Sequence, residues 1–93
     1  MKEYKITQSM NKNIYLDKWY IKPNFALFGS DKYVLELFGC TNEQFEMVLK
    51  VFDGVRDNYR SYFKTKVMAE QAASVLSDKD KLSDMILLYK LLV

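Results

Sequence analysis

The stretch Thr41-Asn42-Glu43-Gln44 opens the segment with the least conformational choice. Thr41 suits a helix N-cap, and Gln44 three residues on can return the hydrogen bond, the capping-box pattern. Apolar residues follow at Phe45, Val48, Leu49 and Phe52, the i, i+3, i+4, i+7 spacing of a helix with one buried face. Gly54 is a natural stop for that helix.

The residues around it supply the surface it must lie on. Upstream, Asn13 to Ile21 is rich in aromatic and β-branched types and predicts a strand, with Ile14, Leu16 and Tyr20 on one side and Tyr15, Trp19 and Ile21 on the other. Lys22-Pro23-Asn24 breaks it, because proline fixes φ and lacks the ladder donor. A second short strand is expected over Phe25 to Phe28 and a third over Lys32 to Phe38, separated by the turn residues Gly29-Ser30-Asp31. Strands joined this closely pair antiparallel. Downstream, Tyr59 to Lys64 reads as a fourth strand, and Thr65 can cap a helix whose stripe is Ala69, Ala72, Ala73 and Leu76. A last helix runs from about Asp80 to Leu92, with Leu82, Met85, Ile86, Tyr89 and Leu92 on one face.

The expected fold is therefore α+β, in the order β-β-β-α-β-α-α: a small antiparallel sheet of three or four strands, covered on one face by three helices. Residues 1–12 are polar and read as a loosely ordered tail, and 13–93 as one domain. The expected core comprises Leu16, Phe25, Leu27, Leu35, Leu37, Phe45, Val48, Leu49, Phe52, Phe63, Ala69, Ala72, Leu76, Met85, Ile86 and Tyr89.

Composition narrows the chemistry. The chain has 93 residues and no histidine, so it lacks the commonest general base and the commonest metal ligand at neutral pH. Cys40 is the one cysteine, which excludes an intrachain disulfide and leaves no zinc set. Cys40 itself sits before a helix N-terminus, yet with no histidine or second thiol beside it, it reads as a small buried hydrophobe. No phosphate-cradling glycine loop is present, with glycines only at 29, 39 and 54. These absences point to a non-enzymatic protein with no cofactor and no metal. The N-terminus has no apolar run and no stretch is long enough to span a membrane, so a cytoplasmic protein without a signal peptide is expected.

Two surfaces stand out. Net charge is only +2, but residues 1–34 carry six lysines against Glu3, Asp17 and Asp31. Trp19, Tyr15, Phe25 and Tyr33 lie among Lys18, Lys22 and Lys32, and cations beside aromatic platforms suit single-stranded nucleic acid. A candidate nucleic-acid face therefore comprises Lys18, Trp19 and Lys22, or the segment with Arg60, Tyr62, Lys64 and Lys66. The other surface is on the last helix. Leu87 and Leu91, one turn apart, point roughly 140–180° away from Leu82 at 100° per residue, which gives this helix a second apolar face. That face suits a homodimer seam or a docking site for a protein partner.

The segment Tyr62-Phe63-Lys64-Thr65-Lys66-Val67-Met68-Ala69-Glu70-Gln71-Ala72 resembles the strand-to-helix passage of the AP2-like arm-binding domains of phage integrases, which often read G-F-x-T-K-x-x-A-E. Phe63, Thr65, Lys66, Ala69 and Glu70 carry the match. The resemblance implies a three-stranded sheet that enters the DNA major groove, braced by the helix. It covers about a dozen residues, and the helix over Thr41–Phe52 stands where that family has its two preceding strands. More broadly, small Lys- and Asn-rich chains without catalytic motifs resemble accessory proteins of phages or mobile elements, a common task of which is to block a host enzyme such as a defence nuclease. The favoured expectation is a protein-binding module, whose partner can be a second copy of itself, with nucleic-acid binding as the alternative and no membrane association.

Overall fold

A computed structural model describes residues 3–10, 15–27 and 29–92. The elements are β1 (Tyr4–Gln8), β2 (Trp19–Pro23), α1 (Asp31–Phe38), α2 (Asn42–Val51), β3 (Val55–Arg56), β4 (Ser61–Tyr62), α3 (Lys66–Leu76) and α4 (Lys79–Leu92). The class is α+β, as expected, but the described strands form two antiparallel two-stranded ribbons, β1-β2 and β3-β4, and the helices number four. A single bridge, Trp19 to Phe63, joins the ribbons through reciprocal backbone hydrogen bonds of 2.9 and 2.7 Å.

Four local expectations are corrected. Tyr4–Gln8, placed in a loose tail, is a strand: Tyr4 and Ile6 pack on the core while Lys5 points away, the period of two that β-structure requires. The strand expected from Asn13 to Ile21 begins at Trp19, because Tyr15 to Asp17 turn, with Asp17 at φ 65°. Residues 11–14 and 28 lie outside those described. The break at Lys22-Pro23-Asn24 falls two residues later than expected: Pro23 ends β2, buried and facing Tyr4, a terminal position that needs no further ladder donor. Lys32–Phe38, read as a strand, lies within α1. Val34 and Phe38, four apart, both face the core, and Gly39 at φ 62° closes the helix as a left-handed C-terminal glycine.

The remaining helices follow their sequence signals. The Thr41 hydroxyl accepts from Gln44 N–H at 3.1 Å and the Gln44 side chain accepts from Thr41 N–H at 2.9 Å, a complete capping box. Thr65 caps α3 by accepting from Met68 N–H. Asp78 accepts from the N–H groups of Asp80 and Lys81 at the start of α4.

Packing is centred on α3. Ala69, Ala72 and Ala73 have no exposed surface, so the helix backbone can approach β1 and β2 on one side and α2 and α4 on the other. Phe45, Val48, Leu49, Phe63, Leu76 and Leu82 fill the centre. Leu35, Leu37, Phe52, Met85 and Ile86 pack against it half-buried, and Tyr89 is half-buried on α4. Leu16, Phe25 and Leu27, expected in the core, are exposed, Leu27 at 87%. The reason is local: Leu16 lies in the turn of Tyr15 to Asp17, and the chain from Asn24 to Leu27 turns after Pro23 instead of forming a strand, so these side chains have no sheet face to share.

Candidate functional site

The Trp19–Phe63 bridge brings together the two segments that the sequence offered as separate nucleic-acid faces, and then divides their side chains between two sides. Trp19 leans on the core beside Phe63, with Lys66 Nζ 5.8 Å from its ring centroid. Tyr20, the next residue, points to the opposite side of the ribbon, where it is half-buried. On that side Tyr15 stacks on Tyr62 at 4.3 Å with the planes 9° apart, and Tyr20 meets the edge of Tyr62 at 6.1 Å. The Arg60 guanidinium lies 4.2 Å from the Tyr20 centroid and 6.0 Å from that of Tyr62. Tyr62 itself is buried. Lys64 is ion-paired with Asp53, and Lys18 and Lys22 are half-buried at the two ends of the Tyr20 position. Desolvation, and then the Asp57 carboxylate, push the pKa of the Tyr15 hydroxyl up.

One outward cation escaped the sequence reading. Lys5 on β1 stands directly opposite Lys22 on β2, and Thr7 opposite Tyr20. The signal was the alternation Tyr4, Ile6 against Lys5, Thr7, in a segment whose polarity made it look like a tail.

The second surface is at the far side of α3. On α4 only Leu82 is fully buried. Leu87 and Leu91, singled out from their spacing, are exposed at 62% and 82%, and Leu88 and Leu92 join them at 61% and 86%. Beside this ridge runs an open groove of about 460 Å³ between α2, α3 and α4, walled by Val51, Val75, Met85, Leu88, Tyr89 and Leu92. The sequence pattern assigned Leu92 to the buried stripe. It is exposed instead, on the rim of that groove.

Two polar sites serve the fold. Asp31, at the first turn of α1, is buried and holds the β3-β4 ribbon: its carboxylate accepts from Ser61 N–H, from the Ser61 hydroxyl and from Arg56 Nε. Arg56 also reaches Glu46 at 3.0 Å and lies over Phe45. Burial raises the pKa of the half-buried Cys40 thiol above its ordinary value, and Lys79 pulls it partly back. Lys79 also donates to the carbonyls of Phe38 and Gly39, capping the C-terminus of α1.

The passage that resembles the AP2-like domains is present locally, as Phe63, the Thr65 cap and α3. The strand next to it across the bridge is β2, from the other end of the chain, and not one of three consecutive strands. No protein-family model, curated protein or solved structure matches the chain. Among the described residues, no helix is long and apolar enough to cross a membrane.

Proposed function

We infer that the protein is a non-enzymatic protein-binding module that docks its partner through the exposed leucine face of α4. The observation that carries this reading is the run Leu87, Leu88, Leu91 and Leu92, each more than half exposed, beside an apolar groove. Burying such a face is worth about 25 cal/mol per Å² of apolar surface. The four leucines and Val51 form a cluster of exposed apolar side chains, the kind of surface that marks an interaction site when it is contiguous. A complementary apolar helix laid along the ridge and into the groove would fill it, and a second copy of α4 has that character. The Lys- and Asn-rich, motif-free composition agrees with the class of phage or mobile-element accessory proteins that block a host enzyme.

The test is sedimentation velocity and partner capture with the wild type and with Leu87→Glu/Leu91→Glu. The reading requires that the double variant, folded by circular dichroism, lose both self-association and any salt-stable, nuclease-resistant partner that the wild type holds. Unchanged behaviour of both proteins would overturn it.

A further inference from the structure

We propose that the outward face of the β1-β2 ribbon, with Arg60 laid across it, binds single-stranded nucleic acid independently of the α4 face. Three observations converge on this. Lys5 and Lys22 are directly opposed across the ribbon. Like charges in that position oppose strand pairing, and a bound anion between them removes the conflict. Neither lysine has an ion pair among the described residues. Lys22 Nζ makes only a 3.5 Å contact with the Pro23 carbonyl.

Arg60 is the second observation. It also has no carboxylate partner among the described residues, although the chain gives Arg56 two and Lys64 one. Its Nε is buried with no hydrogen-bond partner, and its plane is held over Tyr20. A guanidinium fixed this way keeps its outer N–H groups for an oxyanion and its free face for a stacked base. Asp57, whose N–H donates to the Arg60 carbonyl, forms no ion pair with the guanidinium.

The third observation selects the ligand class. Tyr20 on β2 lies between Lys22 and Lys18, the residue just before the strand, and beside it half-buried Tyr15 stacks over the buried Tyr62. Cations alternating with ring surfaces match phosphates alternating with bases. An acidic peptide would need only the charges. α3 packs on the other side of the ribbon, and on this side Lys5 is exposed and Lys22 half-exposed.

Fluorescence anisotropy with a labelled oligothymidylate, titrated over a range of salt, tests the proposal. If Lys5, Lys22 and Arg60 each neutralise one phosphate, log K falls against log salt with a slope of about −2, from about −0.7 per phosphate on a single strand. Lys5→Gln/Lys22→Gln should bring the slope to about −0.7, whereas Lys50→Gln on α2 leaves it unchanged. Arg60→Lys should keep the slope and weaken binding, because charge stays and the stacked plane is lost. Leu87→Glu/Leu91→Glu should bind like the wild type, which separates this face from the one proposed above. The idea fails if the wild type does not bind at low salt, if the lysine pair leaves the slope unaltered in a folded protein, or if polyglutamate competes as well as unlabelled oligonucleotide, which would assign the face to an acidic protein instead.

Discussion

Asp31 and Ser61, thirty residues apart, are tied twice: the carboxylate takes the Ser61 N–H at 2.9 Å and the Ser61 hydroxyl at 2.8 Å. Both residues are buried, and Arg56 Nε completes the carboxylate at 2.9 Å. This contact anchors the short β3-β4 ribbon to α1, since two residue pairs alone do not hold a ribbon together in water. Removing the carboxylate leaves the buried Ser61 N–H and hydroxyl without their acceptor, whereas removing the hydroxyl takes one of three bonds from the carboxylate. Asp31→Ala should therefore cost about 3 kcal/mol, and Ser61→Ala about 1 kcal/mol, in urea unfolding. If Asp31→Ala unfolded at the wild-type midpoint, the anchor would contribute nothing to stability.

Gly29 sets the position of Tyr20. A Cβ there would lie 2.6 Å from Tyr20 Cδ2 and 2.9 Å from the Ile21 carbonyl oxygen. The ring could swing away, but the carbonyl belongs to β2 and cannot. Gly29→Ala should destabilise by about 1–3 kcal/mol, as overpacking does. It should also disturb the Arg60–Tyr20 stack, so oligonucleotide affinity should fall even at temperatures where the variant remains folded. Thermal melts paired with anisotropy separate the two effects.

The capping box of α2 gives a smaller effect. Thr41→Ala removes the acceptor for Gln44 N–H and should cost about 1 kcal/mol. Gln44→Ala removes the reciprocal bond to Thr41 N–H, and the two losses should not add, because each residue orients the other. A double-mutant cycle by chemical denaturation measures that coupling.

How much of this was legible follows from how local each signal is. The capping box, the Thr65 cap and the alanine stripe each determine their own element, so α2, α3 and α4 stand where periodicity puts them. Lys32 to Phe38 is only seven residues, too short for period two and period 3.6 to be told apart, and its aromatic and branched residues favoured the wrong choice. The left-handed Gly39 was the deciding signal, and it reads equally as a sheet end. No local rule could give the Trp19–Phe63 bridge, which joins residues 44 positions apart and brings Arg60 and Tyr62 beside Tyr20 while leaving Trp19 and Lys66 on the other side. The opposition of Lys5 to Lys22 depends in turn on β1 being a strand at all. The leucines of α4 were half legible: spacing identified Leu87 and Leu91, but the exposure of Leu88 and Leu92 depends on where α2 and α3 end.

Cys40 ties stability to alkaline pH. Its thiol sits half-buried after Gly39, and loss of solvent raises its pKa above the ordinary value of 9.0 while Lys79 lowers it in part. A folded-state pKa above the unfolded one means that the native protein holds its proton longer. The associated stability is complete below the unfolded pKa and is lost as pH rises through the folded one. Unfolding free energy should therefore decline above pH 9, and Cys40→Ala should flatten that part of the decline. Alkylation by iodoacetamide should be slower than for a free thiol, with a rate midpoint above pH 9, because the thiolate is the nucleophile. Lys79→Met should move the midpoint higher still, by removing the nearby charge that favours the thiolate. A midpoint at or below that of a model peptide would show that the thiol is solvated, and that the packing of α4 on the end of α1 is looser than described.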